Sequence, residues 1–174
     1  MRRKFIIRLV ALLVMIEIVA STSSCKKEKE ASGLDKQLLD MAVPVNGFVW
    51  YKYSDALLNR SAGSGHNYPF LRTRYNSVAA TVLDSSGKII PGNVFPEGSL
   101  IVKELYSNSS TLSRYAMLYK KAGDPNADAS GWIWGYVNAD GTVAQAASLK
   151  GSGCRGCHSQ PGHIDFNLMT LYFP

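Results

Sequence analysis

Leu100-Ile101-Val102-Lys103-Glu104-Leu105-Tyr106 is followed, after the polar loop Ser107 to Ser113, by Arg114-Tyr115-Ala116-Met117-Leu118-Tyr119-Lys120 and then by Trp132-Ile133-Trp134-Gly135-Tyr136-Val137. Each run is short, rich in β-branched and aromatic residues, and bounded by turn-forming residues, which is the pattern of strands. The third leads into Asn138-Ala139-Asp140-Gly141 and Thr142-Val143, a hairpin signal. Turns at this frequency predict an antiparallel sheet and not a helical bundle. The expected fold class is mainly β (α+β): an antiparallel sheet with a few peripheral helices and a C-terminal segment bearing the chemistry. Within Leu100–Tyr106, alternation places Ile101, Lys103 and Leu105 on one face and Leu100, Val102, Glu104 and Tyr106 on the other. Either a charged residue approaches an apolar interior, or the run is an edge strand with both charges in water.

Before these runs the signals are mixed. Ser32 or Asp35 is placed to cap a helix over Leu34 to Ala42, with Leu34, Leu38 and Met41 on one face and Pro44 stopping it. Asn59 to Asn67 reads as a Gly/Ser-rich loop. Val78 to Leu83 reads as a strand, Asp84-Ser85-Ser86-Gly87 as a turn, and Lys88 to Ile90 as a further strand ending at Pro91-Gly92. No internal repeat is visible.

The chain has 174 residues, 46% of them hydrophobic and 18% charged, ordinary values for one globular domain. The formal charge of +6 divides equally between the first 24 residues and the other 150. With no basic stripe interleaved with aromatics, nucleic acid is not an expected partner. Arg2, Arg3, Lys4 and Arg8 precede an apolar stretch too short to span a bilayer, then Ser21-Thr22-Ser23-Ser24-Cys25. Residues 1–24 therefore read as an export signal. Cys25 resembles the acylated cysteine of a bacterial lipoprotein, although an ordinary secretory signal with Cys25 a bystander remains open. Residues 25–33 are expected to form a solvated tether and 34–174 the folded domain. The expected location is the periplasmic side of the cell envelope, with a lipid anchor in the outer membrane.

Cys154-Arg155-Gly156-Cys157-His158 carries the chemistry. Two thiols three positions apart suit thioether bonds to the vinyl groups of one haem, and the adjacent imidazole suits axial ligation of its iron. Cys154 and Cys157 are thus candidate anchors of a single covalent haem c, and His158 its candidate iron ligand. A thioredoxin-like pair lacks its βαβ setting, a zinc site with His66 and His163 lacks regular spacing, and a disulfide would be cramped. For the opposite side of the iron, the candidates are Met41, Met117, Met169, His66 and His163. None stands out, so the expectation is an open, five-coordinate iron.

In order and spacing, several segments together resemble the cytochrome P460 family, which includes the cytochromes c′-beta. They are Phe95-Pro96-Glu97-Gly98-Ser99-Leu100-Ile101-Val102-Lys103-Glu104, Gly131-Trp132-Ile133-Trp134, Asn138-Ala139-Asp140-Gly141, the haem motif, and the tail through Asp165 to Phe173-Pro174. The resemblance runs from about His66 to the end. It implies a mainly antiparallel β fold, a homodimer and a five-coordinate c-type haem. In P460 members a lysine is bonded to the porphyrin and hydroxylamine is oxidised; Lys103 matches that lysine. A distal-pocket arginine of the family corresponds to Arg72. The c′-beta members lack the cross-link and bind nitric oxide in an apolar pocket. No Asp or Glu occurs between Gly141 and Ile164, so a proton-relaying carboxylate would have to be Glu104 or Asp165, the latter equally suited to a structural role. The implied functions are hydroxylamine oxidation with Lys103 and Arg72 as site residues and a cytochrome as redox partner, nitric oxide capture without turnover, or simple electron transfer.

Overall fold

The computed structural model describes residues 28–174. The export signal over 1–24 and Cys25 lie outside the described residues. Eight antiparallel strands form one sheet: β1 (Lys29–Glu30), β2 (Phe48–Trp50), β3 (Leu58–Asn59), β4 (Phe70–Asn76), β5 (Leu100–Tyr106), β6 (Leu112–Lys120), β7 (Trp132–Asn138) and β8 (Thr142–Gln145). Their spatial order is β1-β8-β7-β6-β5-β4-β2, with β3 also pairing β4. The helices are α1 (Gly33–Ala42) and the single turns α2 (Arg155–His158) and α3 (Met169–Tyr172). The mainly β, antiparallel expectation is met.

The solvated tether expected over 25–33 is not found at Lys29 and Glu30. Lys29 and Glu30 pair with Val143 and Thr142, so the chain is docked on the sheet before α1 begins. Helix α1 lies where its periodicity predicts. Leu38 and Ala42 are fully buried against Leu100, Val102, Ile133 and Val137 of the sheet. Ser32 makes no side-chain cap; Asp35 instead accepts a hydrogen bond from the Ala147 amide at 2.8 Å, tying α1 to the chain after β8.

Strand β5 is central, between β4 and β6, so the edge-strand reading is wrong. Its two charges are resolved in different ways. Glu104, on the α1 face, is 2% exposed and lies 2.6 Å from Arg72 Nε and 3.0 Å from Arg74 Nη2. Arg74 also donates to the carbonyls of Ala42 and Pro44, satisfying acceptors at the C-terminal end of α1. A buried carboxylate is tolerable there because two guanidiniums surround it. Lys103, on the other face, has no such partner.

The strand expected over Val78 to Leu83 is instead a 3-10 turn, Ala79–Val82. The Asn76 side-chain oxygen accepts from the amides of Ala79 (2.9 Å) and Leu100 (3.0 Å), turning the chain where it leaves β4. Asn at a helical turn's entrance competes with strand continuation through this kind of bond. Leu83 and Ile89 make only an isolated bridge.

Candidate functional site

Strand register builds the floor of a cavity on the face away from α1. Lys103 pairs with Thr73 on one side and Ala116 on the other; Ala116 pairs with Tyr136, and Tyr136 with Gln145. The next row is Ile101, Leu118 and Trp134. Over these rows lie the loop carrying Gly63 to His66 and the segment carrying Cys154, Cys157 and His158, enclosing about 190 Å³. The loop and the C-terminal segment are joined: Gln160 Nε2 donates to Tyr172 Oη at 2.7 Å, and that hydroxyl donates to the Gly63 carbonyl at 2.8 Å.

The Cys-x-x-Cys-His motif is fixed at several points. Gly151, at φ +70°, packs its backbone against the Trp134 ring, where an added Cβ would stand 2.7 Å from ring atoms. Asp128 accepts from Trp134 Nε1 at 2.9 Å and pairs with Arg155 Nε at 3.1 Å, coupling β7 to α2. Cys154 and Cys157 are free thiols, and burial pushes the Cys154 thiol up. His158 Nδ1 is 2.7 Å from the Phe166 carbonyl. A carbonyl only accepts, so Nδ1 carries the hydrogen and Nε2 is left with a lone pair. The ring stands edge-on to Trp134 at 5.2 Å. Burial, then the charge of Lys103, pushes His158 down to about 4, so the imidazole is neutral near pH 7.

Lys103 reaches this cavity from the floor. It makes no ion pair or hydrogen bond among the described residues, and burial pushes it down to about 8. Desolvation of an unpaired ammonium is the cause, and a fraction of neutral amine near pH 7 is the consequence. Lys103, distant in sequence from Cys154, Cys157 and His158, therefore shares one cavity with them.

Arg72 does not join them. It sits on the α1 face of β4, bound to Glu104 and stacked 4.5 Å over the Trp50 ring, so the distal role inferred for it is not available. Glu104 is removed from the cavity by the same alternation. Asp165 is structural: it accepts from the Phe95 amide (2.9 Å) and Trp132 Nε1 (3.1 Å) and pairs with Lys120 at 3.0 Å. Among the described residues, no Asp or Glu lines the cavity.

Of the five residues considered for a second axial position, four are otherwise engaged. Met169 Sδ accepts from Thr73 Oγ1 at 3.2 Å, and Met117 packs with Leu38 on the α1 face, as Met41 does. His163 Nδ1 accepts from the Phe166 amide at 3.0 Å. His66 alone turns its ring into the cavity, with Nδ1 3.2 Å from Tyr136 Oη. Burial first, then Lys103, His158 and Arg114, push it down to about 2. The Arg114 guanidinium lies 4.6 Å over the Tyr136 ring, so the arginine beside this end of the cavity is Arg114 and not Arg72. The sequence offers His66 only as one of five candidates, because its contact with Tyr136, 70 residues away, is made by the tertiary fold.

No family model matches the chain, and no curated protein or solved structure matches it either.

Proposed function

We propose that this protein is an exported c-type cytochrome, P460-like, in which Cys154 and Cys157 carry one haem by thioether bonds and His158 ligates its iron. Its activity is the oxidation of hydroxylamine or a related small nitrogen species. The observation that carries the reading is the convergence of Lys103, an unpaired and desolvated amine, with the two free thiols and His158 in one cavity. A half-buried, desolvated lysine without a counter-ion costs stability, which a covalent or polar bond to a bound group would offset.

Other features of the cavity fit such a group. Gln145 Nε2, on the cavity floor, is buried without a hydrogen-bond partner, so it has a donor to offer. Among the described residues no three His, Cys, Asp or Glu groups converge on a metal position, which favours a macrocycle that brings most of its own iron ligands over a zinc site. Bound there, a haem supplies a one-electron redox centre with an exchangeable iron position. The chain's part is separable from that chemistry. Phe166 fixes the tautomer and direction of His158, Trp134 fixes its ring plane, and the apolar floor limits water. Lys103 supplies the amine that the P460 resemblance assigns to a bond with the macrocycle.

A second reading, nitric oxide capture without turnover, is favoured by one observation: among the described residues, the cavity lining holds no carboxylate to move protons. Anchoring through Cys25 on the periplasmic side, homodimer formation and a cytochrome redox partner belong to the same proposal. No helix among the described residues is long and apolar enough to cross a membrane. The reduced absorption spectrum and hydroxylamine turnover, measured together, separate the readings. A Soret band displaced to the red with turnover supports oxidation; an ordinary ferrous high-spin spectrum that responds to nitric oxide, without turnover, supports capture.

A further inference from the structure

His66 and His158 face the same cavity from two different pieces of chain, and the sheet sets the distance between them. Trp134 lies under His158, with ring centroids 5.2 Å apart, and Tyr136 lies under His66, at 5.8 Å. Trp134 and Tyr136 are two positions apart on β7 and share one face, so their side chains are spaced by about 6.6 to 6.8 Å along the strand. The two imidazole centroids are 6.2 Å apart, with the ring planes at 81°.

That separation has a chemical meaning. A metal–imidazole bond of about 2.0–2.1 Å, plus roughly 1.1 Å from ring nitrogen to centroid, places two trans imidazoles about 6.3 Å apart. A histidine that only donated a hydrogen bond to a metal-bound ligand would stand farther off, by about the length of that hydrogen bond, roughly 2.8 Å. The observed distance matches direct ligation. The hydrogen bonds of each ring are compatible with it. His158 and His66 each engage a partner through Nδ1, the Phe166 carbonyl and the Tyr136 hydroxyl, and each keeps Nε2 available. The hydroxyl of Tyr136 accepts as readily as it donates, so the Nδ1–H tautomer of His66 that ligation requires is accessible.

We propose that His66 is the second axial ligand of the iron held by His158, and that small ligands bind by displacing it. The inference rests on the haem reading above and changes its resting state: the iron is six-coordinate until His66 leaves. Displacement needs the His66 end of the loop to yield. Gly63 is held to Tyr172, but His66 itself belongs to no strand or helix, and its backbone is held by 3.3 Å contacts to Arg60 and to the Ser64 hydroxyl.

The test uses the full-length protein produced with its covalent haem, the haem content being checked by intact mass. Ferric absorption and electron paramagnetic resonance should report a low-spin iron. His66→Ala should convert it to high spin, added imidazole should restore low spin, and azide or nitric oxide should associate at least about tenfold faster, because the competing ligand is gone. His66→Gln, which keeps a hydrogen-bonding side chain toward Tyr136, should also be high spin. A wild-type iron that is already high spin, or one that stays low spin in both variants, overturns the proposal while leaving the haem reading intact. A full-length protein without covalent haem overturns the haem reading itself.

Discussion

Arg72 Nε lies 2.6 Å from Glu104 Oε2 on the α1 face of the sheet, while Lys103, one residue before Glu104, points to the opposite face and into the cavity. One step of strand alternation thus separates a neutralised charge cluster from an unneutralised amine. The cluster belongs to folding, and the proposed function assigns the lysine to chemistry.

Replacing Glu104 should be costly for stability and mild for the site. Glu104→Gln leaves the fully buried Arg74 and its neighbour Arg72 without a counter-charge, at about 3–5 kcal/mol. Urea unfolding measures the loss. A change below about 1 kcal/mol would mean that the cluster is not the anchor it is taken to be.

Lys103→Met should do the reverse. The folded protein holds this ammonium at a pKa of about 8, below its ordinary value, so the charged form opposes folding. The haem-free variant should be more stable at pH 7 by about 1–3 kcal/mol, discounted for the cavity's partial access to water. Wild-type stability recovers as pH rises from 8 towards the unfolded value, so the difference should shrink there. Thermal unfolding at pH 7 and pH 10 checks both the sign and the window.

His66 and His158 are held neutral, at about 2 and about 4. The unfolded chain takes up protons below about pH 6.5 while the folded chain does not, so acid destabilises the fold. Haem-free protein should lose up to about 2 kcal/mol per histidine on going from pH 7 to pH 5. His66→Gln should flatten that slope by roughly half. An unchanged slope would show that His66 protonates freely in the fold.

Gly151→Ala combines an unfavourable positive φ with a Cβ only 2.7 Å from Trp134 ring atoms. A loss of about 2 kcal/mol or more is expected from strain and overpacking. Since Trp134 also packs on His158, the variant's His158 resonances should shift in a nuclear magnetic resonance spectrum of the haem-free protein. Wild-type stability and unmoved resonances would show that the ring does not brace the motif.

Strands β5, β6 and β7 were readable because their apolar runs are long and their turns are marked by local chemistry. Strand β4 was not, because Arg72 and Arg74 interrupt its apolar pattern, and the Glu104 that neutralises them lies on another strand. The 3-10 turn at Ala79–Val82 read as a strand because its composition suits both, and the decision rests on the Asn76 side chain. In the site, Cys154, Cys157 and His158 were visible as a contiguous motif, and Lys103 through its strand parity. The same parity, applied to Arg72, would have placed it beside Glu104 only if the β4–β5 register had been known. His66 could not be singled out, because its partner Tyr136 is 70 residues away.

The most direct test is peptide mass spectrometry of the protein made in a host that matures c-type cytochromes. One haem on the peptide containing Cys154 and Cys157, bonded through both sulfurs, is the predicted result. The same peptide with two free thiols or a disulfide, and no haem, would contradict it.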